Sequence, residues 1–234
     1  MLSASSFPEP QVLAALPIFP LPNVVLLPGM LLPLNVFEPR YLQFVDHALA
    51  DGHHIGVPLL RRHAEATARG PAIEPVFGLG KLVSHLRVPD GRRLIRLEGL
   101  GRVRQLAELP SPHLYRLLAV EPLPERPLGE GPSLAVLHAH ITRIAQLCAD
   151  EGDALRSLIT LPDPRILHYA LTAYLPALEL LADPDPARDR LALVELQQRS
   201  LSADTDERLE LLVERTAHIL GRLARRAPDR SHLN

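Results

Sequence analysis

Short apolar runs separated by turn-forming residues characterise the first third of the chain. Pro22-Asn23 and Pro28-Gly29 separate two of these runs, and neither run shows the spacing of an amphipathic helix. Runs this short, bounded by proline, glycine and asparagine, are typical of β-strands. The pattern therefore predicts extended segments over residues 16–21, 30–37, 55–60 and 76–86.

One segment within this region has helical spacing instead. Apolar residues from Tyr41 to Leu49 recur every three to four positions, as on one face of an amphipathic helix. Pro39 suits a first helical position, where no amide donor is needed, and Gly52 suits the end. Glu38 and Arg40 are then helix N-terminal residues, with a charged clamp on a ligand as the alternative.

The β pattern continues from Val76 to Val120. Pro89-Asp90-Gly91 predicts a hairpin turn between two strands, and Gly99 and Gly101 punctuate the passage toward Val103. Several short strands around one helix predict a small β-barrel or half-barrel over residues 16–122, after a flexible tail at 1–15.

Composition changes after residue 122. Prolines and glycines are dense over residues 123–130, which predicts an exposed linker. Beyond it, apolar residues follow helical spacing, as in Leu137, Ile141 and Ile144. These patterns predict a helical bundle over residues 131–228 and a tail at 229–234. The fold class is therefore α+β, with a β domain followed by a helical domain.

Composition and charge exclude several functions. The formal net charge of −2 creates no overall field for nucleic acid or anionic membranes. Cys148 is the only cysteine, so neither an internal disulfide nor a zinc site of paired cysteines is available. Prolines interrupt the apolar stretch from Leu16 to Leu34, which excludes a spanning helix there, and no basic residue precedes Arg40. We expect a soluble, cytoplasmic protein.

Catalytic, cofactor and metal motifs are missing from the sequence. No GxxxxGK[ST] phosphate loop occurs, and Lys81 is the only lysine. His53-His54 and His138-x-His140 have spacings that direct their side chains apart, so they do not predict a metal site. Ligand spacing for calcium is also absent around Gly152. We expect no catalytic residue, no cofactor and no metal.

A resemblance to a known family lies in an ordered series of motifs. Residues 16–41 read LPIFPLPNVVLLPGMLLPLNVFEPRY, and FGLGKLV, PDGR and LEGLGRVR follow at residues 77–83, 89–92 and 97–104. This series resembles the N-terminal, substrate-binding domain of Lon proteases. The match is strong over residues 16–125 and weak in the helical half, although Gln197–Leu201 and Asp206–Leu212 resemble the end of that domain.

The resemblance implies a PUA-like fold in the β domain and a role in binding protein. It implies a stand-alone, non-catalytic module of bacterial type, without the ATPase and peptidase domains that continue full Lon proteases. Its partners would be unfolded or hydrophobic polypeptide segments, and one alternative is a regulatory subunit that docks on a separate ATPase or protease.

An apolar segment within the resemblance, which we call the lip, is the first candidate site. Its candidate peptide-binding residues are Val24, Val25, Leu26, Leu27 and Met30. Such a proline-bounded segment either fills one end of a barrel as core or forms an exposed apolar edge that contacts unfolded polypeptide. The sequence leaves both alternatives open.

Five arginines near the predicted hairpin are the second candidate. They are Arg92, Arg93, Arg96, Arg102 and Arg104. If their strands are neighbours, these guanidinium groups form a solvated face, a face for an acidic protein partner, or an RNA-binding face. Aromatic residues are only 4% of the chain and none lies among these arginines, so stacking platforms for bases are missing. Nucleic acid is the least favoured of the three.

Overall fold

The computed structural model describes residues 7–50, 52, 54–66, 70–126, 131–148, 152–160, 164–182 and 190–226. The predicted tail residues 1–6 and 229–234, the predicted linker residues 127–130 and the candidate histidine His53 lie outside this set. The chain divides into two compact units, Met1–Pro124 and Glu125–Asn234.

Among its described residues, the first unit contains six strands and two helices. The strands are β1 (Leu16–Ile18), β2 (Leu31–Val36), β3 (His54–Val57), β4 (Val76–Arg87), β5 (Arg93–Leu109) and β6 (Arg116–Leu123), and the helices are α1 (Pro10–Ala14) and α2 (Pro39–Ala50). The predicted strands and the predicted helix after Glu38 are confirmed. Gly99 and Gly101, predicted to separate two strands, lie instead inside the continuous strand β5.

Strand pairing closes the sheet into a barrel. β1 pairs with β3 in parallel and with β6 in antiparallel orientation, while β3–β4, β4–β5 and β5–β6 are antiparallel. These five pairings form a ring. β2 pairs with the first half of β5, from Leu31 opposite Glu98 to Val36 opposite Arg93. The predicted barrel is therefore closed, and β2 extends its sheet beyond the ring.

Glycines in β4 and β5 allow the lip to lie against the sheet. A β-carbon at Gly78 would lie 2.0 Å from the Leu26 carbonyl oxygen, and one at Gly99 would lie 2.2 Å from that of Leu27. Any other residue at either position would collide with the main chain of the lip. Hydrogen bonds from Gly29 to Gly99 and from Gly99 to Met30 hold the end of the lip against β5.

Helix α2 supplies much of the barrel core. Its buried face carries Tyr41, Phe44 and Val45, which pack among residues such as Ile55 and Leu97.

A correction concerns the predicted flexible tail, because residues 10–14 form α1. Leu13 of this helix is buried in a second cluster with Leu16, Ile18 and Phe77. Apolar burial therefore extends order toward the N-terminus.

The second unit is entirely helical where it is described. Its helices are α3 (Pro132–Leu147), α4 (Gly152–Ile159), α5 (Pro164–Ala182), α6 (Arg190–Ser202) and α7 (Thr205–Arg226). The apolar stripe predicted at Leu137, Ile141 and Ile144 lies on α3 and forms the core together with Leu171 of α5 and Leu212 of α7. α4 was not predicted as a separate helix, since the polar residues around Gly152 suggested a turn.

A buried ionic network attaches the start of this unit to its helices. The fully buried Arg208 side chain donates hydrogen bonds to Glu125 Oε2 at 3.0 Å and to the carbonyl oxygens of Ser200 and Ala203. The Tyr169 hydroxyl donates to the other carboxylate oxygen of Glu125. These contacts satisfy a charge whose burial would otherwise be costly.

The α+β fold class is confirmed, with the sheet first and the helices after it. Each unit has its own apolar core.

Candidate functional site

The lip contributes both core and accessible side chains. Leu26 and Leu27 are buried, and Leu26 packs in the same cluster as Phe44 of α2. Val24, Val25 and Met30 are half-buried. Each of the two alternatives therefore applies to part of the lip. Leu26 and Leu27 are core residues, whereas the flanking Val24, Val25 and Met30 stay partly accessible.

An exposed apolar groove, which we call the strand groove, continues from the end of the lip. It has a volume of about 470 Å³ and lies over β2, β5 and β4. Leu94 of β5 faces Asn35 on one side and Leu86 on the other, and Arg96 faces Pro33 and Ser84 in the same way. Leu31, Leu86 and Leu94 are all exposed. The strand order thus aligns apolar side chains from three distant segments.

A second depression, which we call the aromatic cleft, has a volume of about 320 Å³. It lies between the segment following β1, the start of α2 and the start of β6. Its walls include Phe19, Tyr41, Tyr115, Pro20, Pro22 and Leu114. The sequence did not predict this cleft, since its aromatic residues are far apart along the chain. The only sequence feature that could have indicated the cleft is the position of these aromatic residues near prolines.

Aromatic packing fixes the walls of the aromatic cleft. The ring centroids of Phe19 and Tyr41 are 4.0 Å apart, and the Arg40 guanidinium lies 4.6 Å from the centroid of the Tyr41 ring. The Tyr115 hydroxyl is in hydrogen-bond contact with His47 Nδ1 at 2.7 Å. Both geometries give well-ordered aromatic surfaces.

The charged residues of the cleft neutralise one another. Glu38 forms an ion pair with Arg40 at 2.7 Å, and Glu108 accepts two hydrogen bonds from Arg116. Arg116 also donates to the Pro71 carbonyl oxygen. Glu38 and Arg40 therefore form a local ion pair beside the helix start, and the cleft carries no excess charge.

The candidate arginines do not share one accessible face. Arg93 and Arg102 are buried, and Arg93 pairs with Asp46 of α2 at 2.8 Å. Arg92 pairs with Asp90, and Arg104 pairs with Glu121. Arg96 is exposed beside the strand groove. Alternation along β5 places Arg93 and Arg96 on opposite sides of the sheet, and burial separates Arg102 from the exposed Arg104.

Neither a metal-binding group nor a membrane-spanning helix is present in the part of the chain that the structure describes. Nowhere in the described ranges do three histidine, cysteine, aspartate or glutamate side chains come together as a metal-binding group. No helix within those ranges is both long and apolar enough to cross a bilayer.

Comparison with protein families identifies the architecture. The family model described as "ATP-dependent protease La (LON) substrate-binding domain" matches residues 15–219, which include the barrel and most of the helical unit. The chain belongs to this Lon substrate-binding domain family. The predicted resemblance is confirmed, and the match extends into the helical half.

Curated relatives of the domain are bacterial Lon proteases. The Lon protease of Roseiflexus castenholzii is 29% identical over 233 residues, which are 95% of this chain and 27% of that protein. The Desulfovibrio desulfuricans Lon protease is 26% identical over 200 residues, covering 84% of this chain and 21% of the relative. The chain thus spans about a quarter of the length of these Lon proteases.

A solved structure supports the same fold. The N-terminal domain of the Mycobacterium avium complex Lon protease superposes with a TM-score of 0.61 at 18% identity. The superposition covers 87% of this chain and 98% of that domain. At this identity the similarity concerns the fold.

Proposed function

We propose that this chain binds extended, apolar segments of other polypeptides and performs no chemistry on them. Membership in a family described as a substrate-binding domain supports the first part. The second part is supported by the sequence, which contains no phosphate loop and a single lysine, Lys81. The polypeptide ligand would meet the accessible side of the lip and the strand groove.

The observation that carries this proposal is a group of exposed apolar side chains from three strands. Pro33 of β2, Leu94 of β5 and Leu86 of β4 line the strand groove, and the exposed Leu31 of β2 lies outside it toward the lip. Single exposed leucines are common, but apolar side chains collected around one groove are typical of a binding surface.

The lip extends this surface. Met30 directly precedes β2, so the lip, with its half-buried Met30, Val25 and Val24, is joined along the chain to a strand of the groove. Leu26 and Leu27 hold the lip in place from below, because their main chain lies against Gly78 and Gly99. A ligand therefore meets a preformed surface rather than a loop that must first become ordered.

Apolar burial would dominate the binding free energy. Burial contributes about 25 cal/mol per Å² of apolar area removed from water, and this term responds weakly to salt. Binding to RNA would behave oppositely, since each neutralised phosphate releases counterions and affinity falls as salt rises.

The test uses fluorescence anisotropy with labelled, reduced and carboxymethylated α-lactalbumin, an unfolded polypeptide. We expect Leu86→Asp to weaken binding about tenfold or more, because it places a charge in the strand groove. Leu106→Asp is the matched control, since both leucines are 60% exposed and Leu106 lies outside the groove. No binding by the unaltered protein, or equal loss in both variants, would contradict the proposal.

RNA binding is an outcome that the same assay detects. A labelled mixed-sequence RNA is titrated at low and at physiological salt. Tight, salt-sensitive RNA binding without binding of the unfolded polypeptide would favour the RNA alternative. The placement of Arg93 and Arg102 inside the fold argues against that result. Docking on a separate ATPase or protease stays a prediction of the family resemblance.

A further inference from the structure

Tyr41 contributes its ring to the barrel core and also lines the aromatic cleft. The residue is only 6% exposed, yet it lines the cleft. Its ring packs on Phe19 and under Arg40, but within the described ranges its hydroxyl has no hydrogen-bond partner. This hydroxyl is not one of the fully buried unpaired atoms, so it is open to solvent and available to a ligand in the cleft.

The surroundings define what the Tyr41 hydroxyl can do. Burial raises the pKa of the Tyr41 phenol, an effect that outweighs the opposing influence of Arg40, so the group stays protonated at neutral pH. It can therefore donate a hydrogen bond. The charges that act on the phenol belong to Arg40, Glu38 and Arg116, which all line the cleft.

The cleft is complementary to an uncharged, apolar group. Its arginines are held by Glu38 and Glu108, so no charge is left for an ionic ligand. The prolines in its wall have no main-chain N–H group, so they cannot donate a hydrogen bond to a ligand. The protonated Tyr41 hydroxyl can donate one. The volume of about 320 Å³ is at the small end of ligand pockets. It accommodates one large apolar side chain with its adjoining peptide groups.

We propose that the aromatic cleft takes up an apolar side chain of an extended polypeptide, while the Tyr41 hydroxyl donates a hydrogen bond to a main-chain carbonyl of that segment. This inference rests on the proposed function and adds a specific subsite to it. Pro22 lines the aromatic cleft and Val24 begins the lip two residues later, so the two surfaces are connected along the chain.

Two variants test the subsite, with a labelled Gly/Ser peptide carrying a central Leu-Phe-Leu as the probe. Tyr41→Phe removes only the hydroxyl and should weaken binding about three- to tenfold, the range for one net hydrogen bond. Leu114→Asp adds a charge at the rim, where Leu114 is 65% exposed, and should weaken binding about tenfold or more. Leu106→Asp, with similar exposure outside the cleft, should leave the affinity unchanged.

Changing the peptide gives an independent readout. A peptide with Leu-Asp-Leu at its centre should bind the unaltered protein much more weakly. Its affinity for Tyr41→Phe should be the same as for the unaltered protein. Thermal unfolding checks that each variant is folded, and the exposed position of Leu114 keeps the test available if Tyr41→Phe is destabilised.

The outcomes separate this inference from the proposed function. If Leu86→Asp weakens peptide binding while Tyr41→Phe and Leu114→Asp bind normally, the subsite is overturned and the proposed function stands. If Leu106→Asp weakens binding as much as Leu114→Asp, the effect is not specific to the cleft and the subsite is again overturned. If the unaltered protein binds neither the peptide nor unfolded α-lactalbumin, both proposals are contradicted.

Discussion

Single residues in this domain matter through neighbours that are remote in sequence. Gly78 and Gly99 lie within β-strands, and the sequence suggested that Gly99 punctuates the passage between two strands. In the structure both glycines instead allow the lip's carbonyl oxygens to approach the sheet. That reason could not be predicted from the sequence, because local composition does not show which distant segment lies over a glycine.

The close approach at Gly78 gives a testable prediction. Gly78→Ala should lower the free energy of unfolding by about 1–3 kcal/mol, because the new methyl group would overlap the Leu26 carbonyl oxygen. Gly221→Ala, inside α7, is the control and should raise it by about 0.5–1 kcal/mol. Urea denaturation measures both. Similar stability of the Gly78 variant and the unaltered protein would show that the lip moves aside freely.

The two candidate sites show how far residue patterns could be used for prediction. The lip was predicted at the correct place as an apolar segment, but only coordinates separate buried Leu26 and Leu27 from the accessible Val25. The five arginines are close along the chain, and strand alternation then divides them. The aromatic cleft was missed because Phe19, Tyr41 and Tyr115 come together only after the barrel closes.

Elements were predicted best where periodicity was regular. The spacing of α2 and α3 predicted their buried faces, whereas α4, which begins at Gly152 among polar residues, was not predicted as a separate helix.

Helix α5 contains Pro176 in its interior. A proline there leaves the carbonyl of Thr172, four residues earlier, without its helical partner. Gln197 of α6 donates its side-chain amide to this carbonyl at 3.5 Å.

This replacement bond between helices predicts a coupling. Gln197→Ala should destabilise the protein by about 0.5–1 kcal/mol, because it leaves the Thr172 carbonyl unsatisfied. The same change should cost less in a Pro176→Ala background, where a main-chain amide can serve that carbonyl. A double-mutant cycle by urea denaturation measures the difference. Strict additivity would contradict the link between α5 and α6.

At the scale of the whole molecule, the boundary between units is set by contacts as well as composition. Prolines and glycines predicted a linker over residues 123–130, yet Glu125 binds Arg208 and the Arg126 carbonyl accepts a hydrogen bond from Thr205. Both partners lie on or beside α7, far along the chain. The sequence therefore predicted the presence of two parts, but not which residues of the connection stabilise the second.

Fragments that begin at different residues test this boundary. A fragment of residues 125–234 should be more stable to urea than one of residues 131–234, by about 3–5 kcal/mol, because the shorter one leaves Arg208 buried without Glu125. Glu125→Ala in the longer fragment should reproduce most of the loss. Equal denaturation midpoints for all three would show that the ionic network adds no stability.

The pairing of β1 with β6 also determines when the barrel can form. Leu16 faces Leu118, so the first and last strands of the ring meet across nearly the whole first unit. Contacts of such long sequence separation form slowly, since a large loop must close before they contribute. During synthesis, the ring stays incomplete until β6 has left the ribosome. The nascent chain can pair β1 with β3 early but must carry the other edge of β1, which faces β6, unpaired until then. This makes translation speed and chaperones relevant to the yield of folded protein.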